Sequence, residues 1–342
     1  MKVLYIGPDS GTCRQRAEAL RRIGHEVEII DPFGKLPSWS LLHKWSFKTG
    51  GFLLSALLTQ AVRRHSAQKM YDLVWVDGGE LVSPWLVRRL RDKFGTVVNY
   101  NHDDPFGGRD GLRWRLYLKC VPEYDLLIVA RDCNVEEARK FGARNVKRIF
   151  FGADEIAHRP RALTGSDRER WGSKVAFVGT WMPERGPFLA ALVKEGVPLS
   201  IYGDRWERAP EWPTLRPFWR GPGVYDSEEY ARVIQSAEIC IGLLSKGNRD
   251  EHTTRSIEIP YLGTLLLAER TKEHLELYEE GKEAEFWSDA RECAAKCRAL
   301  LEDEGKRERI AAAGQARCVA NKHLNEVTLS EILHEYFDGE MA

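Results

Sequence analysis

A chain of 342 residues is longer than one ordinary core and suits two domains of about 150 residues each. Its 43% hydrophobic and 30% charged residues are those of a soluble globular protein and exclude a disordered one. A formal net charge of zero leaves no basic surplus to point to nucleic acid.

Seven cysteines, at 13, 120, 133, 240, 293, 297 and 318, are odd in number and include no C-x-x-C pair, which suits a reducing compartment. Cys293 and Cys297 stand one helical turn apart with no histidine or second pair beside them. That reads as thiols on a packed helix, and no metal is expected there. The chain opens on strand-like "KVLYIG", not on the basic and apolar regions of a secretory leader, so a cytoplasmic location is expected.

In chain order, "KVLYIG" is a buried strand, "PDSGT" the turn after it, and the next segment a helix with apolar Ala17, Leu20 and Ile23, closed by Gly24. "HEVEIID" is the second strand. The segment "WSLLHKWSFKTGGFLLSALLTQAVRRH" mixes Trp39, Trp45, Phe47, Phe52 and leucines with Lys44, Lys48, Arg63 and Arg64. Its apolar run from Phe52 to Val62 is too short to span a bilayer. Residues 39–64 read either as a helix pair packed on its own domain or as a peripheral contact with an anionic membrane face. "YDLVWVD" is a strand, and Ser83-Pro84 opens a helix running to Lys93. "TVVNY" and "YDLLIVA" are strands, "VEEARKFGA" a helix ending at Gly142, and "NVKRIFFGAD" a further strand. Residues 157–173 are polar and without period, which reads as a linker. "KVAFVGT", "PLSIYGD", "EICIGLL" and "TLLLAE" are strands of a second alternating half, with a helix in "GPFLAALVKEG". Asp226/Glu229, Asp289/Glu292 and Thr328/Glu331 have capping-box spacing. The pattern predicts two Rossmann-like α/β domains, 1–156 and 174–325, and a C-terminal helix at 326–342 that packs back on the first. A ligand is expected in the cleft between them, at the carboxyl ends of the strands.

Four constellations bear chemistry. In "KVAFVGTWMPERG", Gly179 ends a strand and Arg185 stands where a helix begins. Backbone N–H groups and a fixed cation there suit phosphate oxygens, or the arginine is simply solvated. In "RDEHTTRSIEIPYLGTLLLAE", Asp250 and Glu258 are eight positions apart and Arg255 lies three before Glu258. A carboxylate there suits the adjacent hydroxyls of a ribose, with Lys246, Arg249 and Arg255 beside a diphosphate. The alternative is a plain Arg255–Glu258 pair on one helix turn. In "NYNHDDPFGG", His102 beside Asp103 and Asp104 suits proton transfer, with a carboxylate holding the imidazole tautomer, or is turn chemistry before Pro105. In "GPDSGT", Gly7 and Gly11 break the G-x-G-x-x-G spacing, which weakens a nicotinamide enzyme. They read as room for a ligand beside the first strand.

These residues resemble a known family. "VAFVGTWMPERGPFL", "LSIYGDRW" and "EEYARVIQSAEICIGLL" are similar, in order and spacing, to the second domain of the GT-B-fold, nucleotide-sugar-dependent glycosyltransferases of group 1. "TTRSIEIPYLGTLLLAE" is similar to their R-x-x-E-x-P-x-x-G signature and "RERIAAAGQ" to their closing helix. The nearest branch is the spore-maturation-protein-like one (CgeB-type). The resemblance implies transfer of a sugar, as by a hexosyltransferase of glycoconjugate biosynthesis, from a UDP-, GDP- or dTDP-sugar. The acceptor hydroxyl would lie on a glycan, lipid-linked glycan, protein or small molecule. It implies no metal, which fits the lack of a D-x-D flanked by apolar strand residues. By the same resemblance, Glu258 would bind the ribose and Asp250 the transferred sugar, although the family has glutamate there and Glu251 is one residue off. Arg185, with Lys246 or Arg255, would neutralise the diphosphate, and His102 and Asp103 would serve the acceptor from the first domain. A GT-B sugar-nucleotide epimerase and a non-catalytic nucleotide-sugar-binding protein are the alternatives.

Overall fold

A computed structural model describes residues 1–34, 40–51, 53–337 and 339. Trp39 and Phe52, named above in the aromatic and basic segment, lie outside the described residues. The chain divides into two compact units, Met1–Phe150 with Gly247–Arg249 and the chain from Asn325 onward, and Phe151–Lys246 with Asp250–Leu324.

The first unit holds strands β1 (Lys2–Ile6), β2 (Glu26–Ile30), β3 (Leu73–Asp77), β4 (Val97–Asn101), β5 (Leu126–Val129) and β6 (Val146–Arg148). They form one parallel sheet in the order β2-β1-β3-β4-β5-β6. Its helices are α1 (Gly11–Arg22), α2 (Ser40–Thr49), α3 (Leu54–Ser66), α4 (Pro84–Phe94), α5 (Arg115–Cys120) and α6 (Asp132–Lys140). Because side chains alternate along a strand, β1 and β3 feed two cores. Leu4, Ile6, Val74 and Val76 pack with Leu58 and Val62 of α3 and Leu86, Val87 and Leu90 of α4. Val3, Tyr5, Leu73 and Trp75 pack on the other face with Ala17 and Leu20 of α1. A strand covered on both faces needs apolar residues at every position, which is why "KVLYIG" carries no polar alternation. Ser83 caps α4, its hydroxyl accepting the Leu86 N–H at 3.2 Å.

The second unit repeats the plan with β7 (Ser173–Val178), β8 (Leu199–Tyr202), β9 (Trp219–Gly221), β10 (Ala237–Gly242), β11 (Leu265–Glu269) and β12 (Glu285–Trp287). The parallel order is β12-β11-β10-β7-β8-β9. Its helices are α7 (Gly165–Trp171), α8 (Arg185–Lys194), α9 (Trp212–Leu215), α10 (Ser227–Gln235), α11 (Arg255–Tyr261), α12 (Lys272–Leu277), α13 (Ala290–Glu302) and α14 (Glu304–Ala320). The last helix, α15 (Asn325–Phe337), returns to the first unit, where Leu329, Ile332 and Leu333 join the core beside Val3 and Trp75.

Several local expectations need correcting. Residues 157–173 are not irregular throughout, because α7 forms there under a reciprocal capping box of Thr164 and Asp167. Thr328 caps nothing, since α15 begins earlier, at Asn325. Asp226 and Asp289 do cap α10 and α13, accepting the N–H groups of Glu228, Glu229 and Glu292. The strand expected over 145–154 is only three residues long, Val146–Arg148.

The strand order places one switch point in each sheet. β1 leads outward to β2 while β3 leads the other way, and β7 leads to β8 while β10 leads to β11. Loops leaving such neighbouring strands diverge and open a crevice at the carboxyl ends.

Replacing Ile332, fully buried in α15, by alanine is expected to cost about 2–4 kcal/mol of stability in chemical denaturation. An unchanged midpoint would mean that α15 is not part of the first core.

Candidate functional site

At the second switch point, β7 ends at Val178 and the chain turns at Gly179. A Cβ on Gly179 would stand 2.8 Å from Cζ of Phe177 and 3.3 Å from Nη1 of Arg185, so the missing side chain lets that guanidinium approach the strand end. Arg185, the first residue of α8, donates through Nη1 to the Thr180 carbonyl at 2.9 Å and through Nη2 to the Leu243 carbonyl, just beyond β10, at 3.4 Å. Its buried Nε has no partner, and among the described residues no carboxylate pairs with it. Burial lowers Arg185 to about 10, with Arg255 adding repulsion, and the nearby charges of Glu184 and Asp250 do not make up the difference. No side chain caps the start of α8.

Glu258 lies on the inner face of α11, not on a strand end, and is 2% exposed. Its Oε2 accepts from the Tyr230 hydroxyl and from Arg255 Nη1, both at 2.7 Å. The intrahelical Arg255–Glu258 pair is therefore real, but it is one part of a larger cage. His158 Nδ1 accepts the Asp154 N–H at 2.9 Å, so its proton sits on Nε2, which faces Oε1 of Glu258 at 3.6 Å. Burial pushes the Glu258 carboxyl up, but Arg255 first, then His158 and Tyr230, outweigh that and hold it below the ordinary value. Arg255 also donates to the Val178 carbonyl at 3.3 Å and lies 4.8 Å from the centroid of the Tyr230 ring. Gly179, Arg185, Arg255 and Glu258 thus gather at the carboxyl ends of β7 and β10.

Asp250 is 9% exposed and accepts the Ser245 N–H at 3.3 Å. Glu251 is exposed, and its carbonyl accepts from the Thr271 hydroxyl. Lys246 is exposed, with its ammonium on Glu269 and its N–H on Glu184.

At the first switch point, a pocket of about 270 Å³ is lined by Gly11, Asp77, Glu80, His102, Asp103 and Trp114, among others. Gly11 opens α1 at φ +52°. A Cβ on Gly7 would stand 2.8 Å from Cβ of Asp77, so glycine is what lets that carboxylate sit between β1 and β3. Asp77 is 1% exposed and accepts from Arg16 Nε at 2.7 Å, Arg16 Nη2 at 2.8 Å, the Cys13 thiol at 3.1 Å, and the Tyr5 hydroxyl. Burial would raise its carboxyl, and Arg16 more than reverses that. Ligand atoms of Cys13, Asp77 and His102 come within 4.8 Å of one another. Both Asp77 oxygens, however, are already engaged by Arg16, which neutralises them.

His102 has a buried Nδ1 without a partner, and burial draws the imidazole below its ordinary value, so it is neutral at neutral pH. The expectation that a neighbouring carboxylate holds its tautomer is overturned. Asp103 pairs with Arg113 at 3.3 Å, which also grips Glu80 and Asp110 at 3.0 Å each. Asp104 is taken by Arg249, through Nε at 2.6 Å and Nη2 at 2.8 Å. Arg249 therefore belongs to the first unit's network and is not beside Glu258.

Sequence reading missed Asp77, Arg16, Tyr230 and His158. A signal for the first two existed: "LVWVD" ends an apolar strand on a carboxylate, and Arg16 interrupts the apolar stripe of Cys13, Ala17 and Leu20 on α1. A lone arginine on a buried stripe needs a buried acid.

Residues 185–334 match the family model described as Glycosyl transferase-like. No curated protein matches the chain. Sucrose-phosphate synthase from Thermosynechococcus elongatus is similar over 99% of this chain and 100% of that one, with a TM-score of 0.73 and 15% identity. HepE from Anabaena, solved in complex with UDP and glucose, is similar over 99% and 100%, with a TM-score of 0.67 and 15% identity. A protein from Listeria monocytogenes named as a UDP-N-acetylglucosamine 2-epimerase is similar over 99% and 97%, with a TM-score of 0.61 and 12% identity. The fold is GT-B, with two Rossmann-like units, each built on a six-stranded parallel sheet, and a helical C-terminal end.

Two stability predictions follow from the charges. Glu258→Gln should cost about 2–3 kcal/mol at pH 6 by leaving Arg255 uncompensated. A carboxyl whose folded value is depressed stabilises the fold fully above its ordinary 4.5 and loses that contribution as pH falls through the lower folded value. The gap between wild type and variant should therefore close in denaturation curves taken below pH 4.5. Arg185→Met should do the reverse of a normal core substitution, leaving stability unchanged or raising it by about 1 kcal/mol.

Proposed function

We propose that the chain is a metal-independent, nucleotide-sugar-dependent glycosyltransferase, a group 1 enzyme of the spore-maturation-protein-like branch. The observation that carries this reading is Arg185, a half-buried guanidinium with no carboxylate, set beside Gly179 at a strand end and at the uncapped start of a helix. That is a place for diphosphate oxygens. Glu258, already ionised and held by Tyr230, Arg255 and His158, offers acceptor oxygens to the ribose hydroxyls of the same ligand. Asp250, the more buried of the two adjacent acids, is assigned to the transferred sugar. Arg255 adds positive charge, while Lys246 would have to leave Glu269 to do so.

In the reaction, the acceptor oxygen forms its bond to the anomeric carbon as the bond to the diphosphate oxygen breaks. Negative charge grows on the departing diphosphate, and a cation already in place stabilises it without reorganising. The acceptor hydroxyl is assigned to the pocket of the first unit, where neutral His102 takes its proton and Asp103, through Arg113, shapes the wall. HepE was solved with UDP and glucose, which makes uridine nucleotides the first donors to test, before GDP- and dTDP-sugars.

The Listeria neighbour's name favours a second reading, a sugar-nucleotide epimerase. Incubation with donor alone separates the two, since an epimerase yields an epimer or free sugar without any acceptor.

Thermal-shift screening against UDP, GDP, dTDP and their sugars is the direct measurement. A cognate nucleotide at a hundredfold excess over its Kd should stabilise the protein by about 2.7 kcal/mol. Glu258→Ala and Arg185→Met should both abolish that gain, whereas His102→Gln should keep it and lower turnover. Full stabilisation of either donor-side variant would sink the assignment.

A further inference from the structure

The first unit carries a surface on which arginines stand in no ion pair among the described residues. From Pro32 to Tyr71 the sequence contains no aspartate or glutamate, although the chain holds 51 of them. Helices α3 and α4 border a depression of about 570 Å³ lined by Leu57, Gln60, Arg63 and Trp85. A second depression, of about 540 Å³, shares Arg63 and Trp85 and reaches Arg89. Trp85 is 41% exposed and Leu57 45%. The Trp85 ring centroid lies 5.8 Å from the Arg63 guanidinium and 5.4 Å from that of Arg89. Lys44 and Lys48 stand one turn apart on α2.

Among the described residues, Lys44, Lys48, Arg63, Arg64 and Arg89 take part in no ion pair. The nearby acids are engaged elsewhere, Glu123 by Arg88 and Arg91 and Glu80 by Arg113. Asp92 is the one carboxylate that lines the depressions, against Arg63, Arg89 and Lys93. A second copy of the chain would bring like charges face to face across a symmetric contact, which argues against a dimer here.

We propose that this face docks on the surface of an anionic lipid bilayer, with Trp85 and Leu57 entering the headgroup layer and Arg63 and Arg89 meeting lipid phosphates. A tryptophan ring with one polar edge settles at headgroup depth, and basic side chains within a Debye length of a negative membrane add attraction that salt weakens. Leu57 and Trp85 alone bury too little to hold the protein, so binding needs both parts. The inference does not rest on glycosyl transfer, and it moves the contact expected over 39–64 onto α3 together with α4.

Flotation of the full chain with vesicles of phosphatidylglycerol and phosphatidylcholine, against phosphatidylcholine alone, is the test. Co-flotation is expected with the anionic vesicles only, and added salt should reduce it. Arg63→Glu with Arg89→Glu should lower partitioning at least about tenfold. Trp85→Ser with Leu57→Ser should weaken it while leaving the salt dependence in place. All four positions are exposed, and unchanged Tm values check that the variants fold. No flotation with anionic vesicles, equal flotation with neutral ones, or a dimer in light scattering that Trp85→Ser dissolves would each overturn the proposal.

Discussion

A carboxylate taken out of water must be matched by charge and by hydrogen-bond donors, or it protonates. Glu258 meets that condition with Arg255 on its own helix, Tyr230 from α10 and His158 from the segment before α7. Three separate stretches of the second unit are thereby fixed around one charge. The first unit solves the same problem with Asp77, whose oxygens take Arg16 from α1 and Tyr5 from β1. In both units the charged node sits where the strand order reverses and the connecting loops part. There the sheet leaves backbone and side chains accessible at the carboxyl ends. The nodes hold those loops open in a defined geometry.

Arg185 breaks the pattern. Arg16, Arg113, Arg249 and Arg255 each face carboxylates, and each is held above its ordinary value once burial is offset. Arg185 faces carbonyl oxygens, and burial pulls it down to about 10. A fold optimised for stability alone would replace it or give it an acid. Retaining a costly cation at a glycine-lined strand end is the trade made at binding sites, where a ligand supplies the missing charge.

Much of this was legible in the chain, and the reasons are local. Continuous apolar runs such as "KVLYIG" and "TLLLAE" announce strands buried on both faces, and Ser83-Pro84, Asp226 and Asp289 mark helix starts through their own side chains. Strands β9 and β12, of three residues each, have no period to read. Gly179 and Arg185 were legible as a strand end and a helix start, whereas Glu258 was expected beside a strand and stands inside α11. The partners of the buried acids were not legible, since Tyr230 reaches Glu258 across 28 positions and Arg16 reaches Asp77 across 61. The error at His102 has the same origin. Adjacency in sequence suggested Asp103 as its partner, but Arg113, ten positions on, competes for that carboxylate with a full charge.

The same competition explains why a net charge of zero says so little about this protein. Its 51 basic and 51 acidic side chains cancel in sum. Pairing, however, is a matter of distance, and most of the buried or half-buried ions found partners within their own unit. Among the described residues, the cations outside that pairing include Arg185 and, beside the acid-free stretch, Arg63 of α3 and Arg89 of α4. A half-buried cation without a counter-charge costs desolvation, and exposed cations set close together repel one another. An anion from outside the chain can supply the difference at either place, a compact one where the guanidinium is half-buried and an extended one where the cations lie open to water.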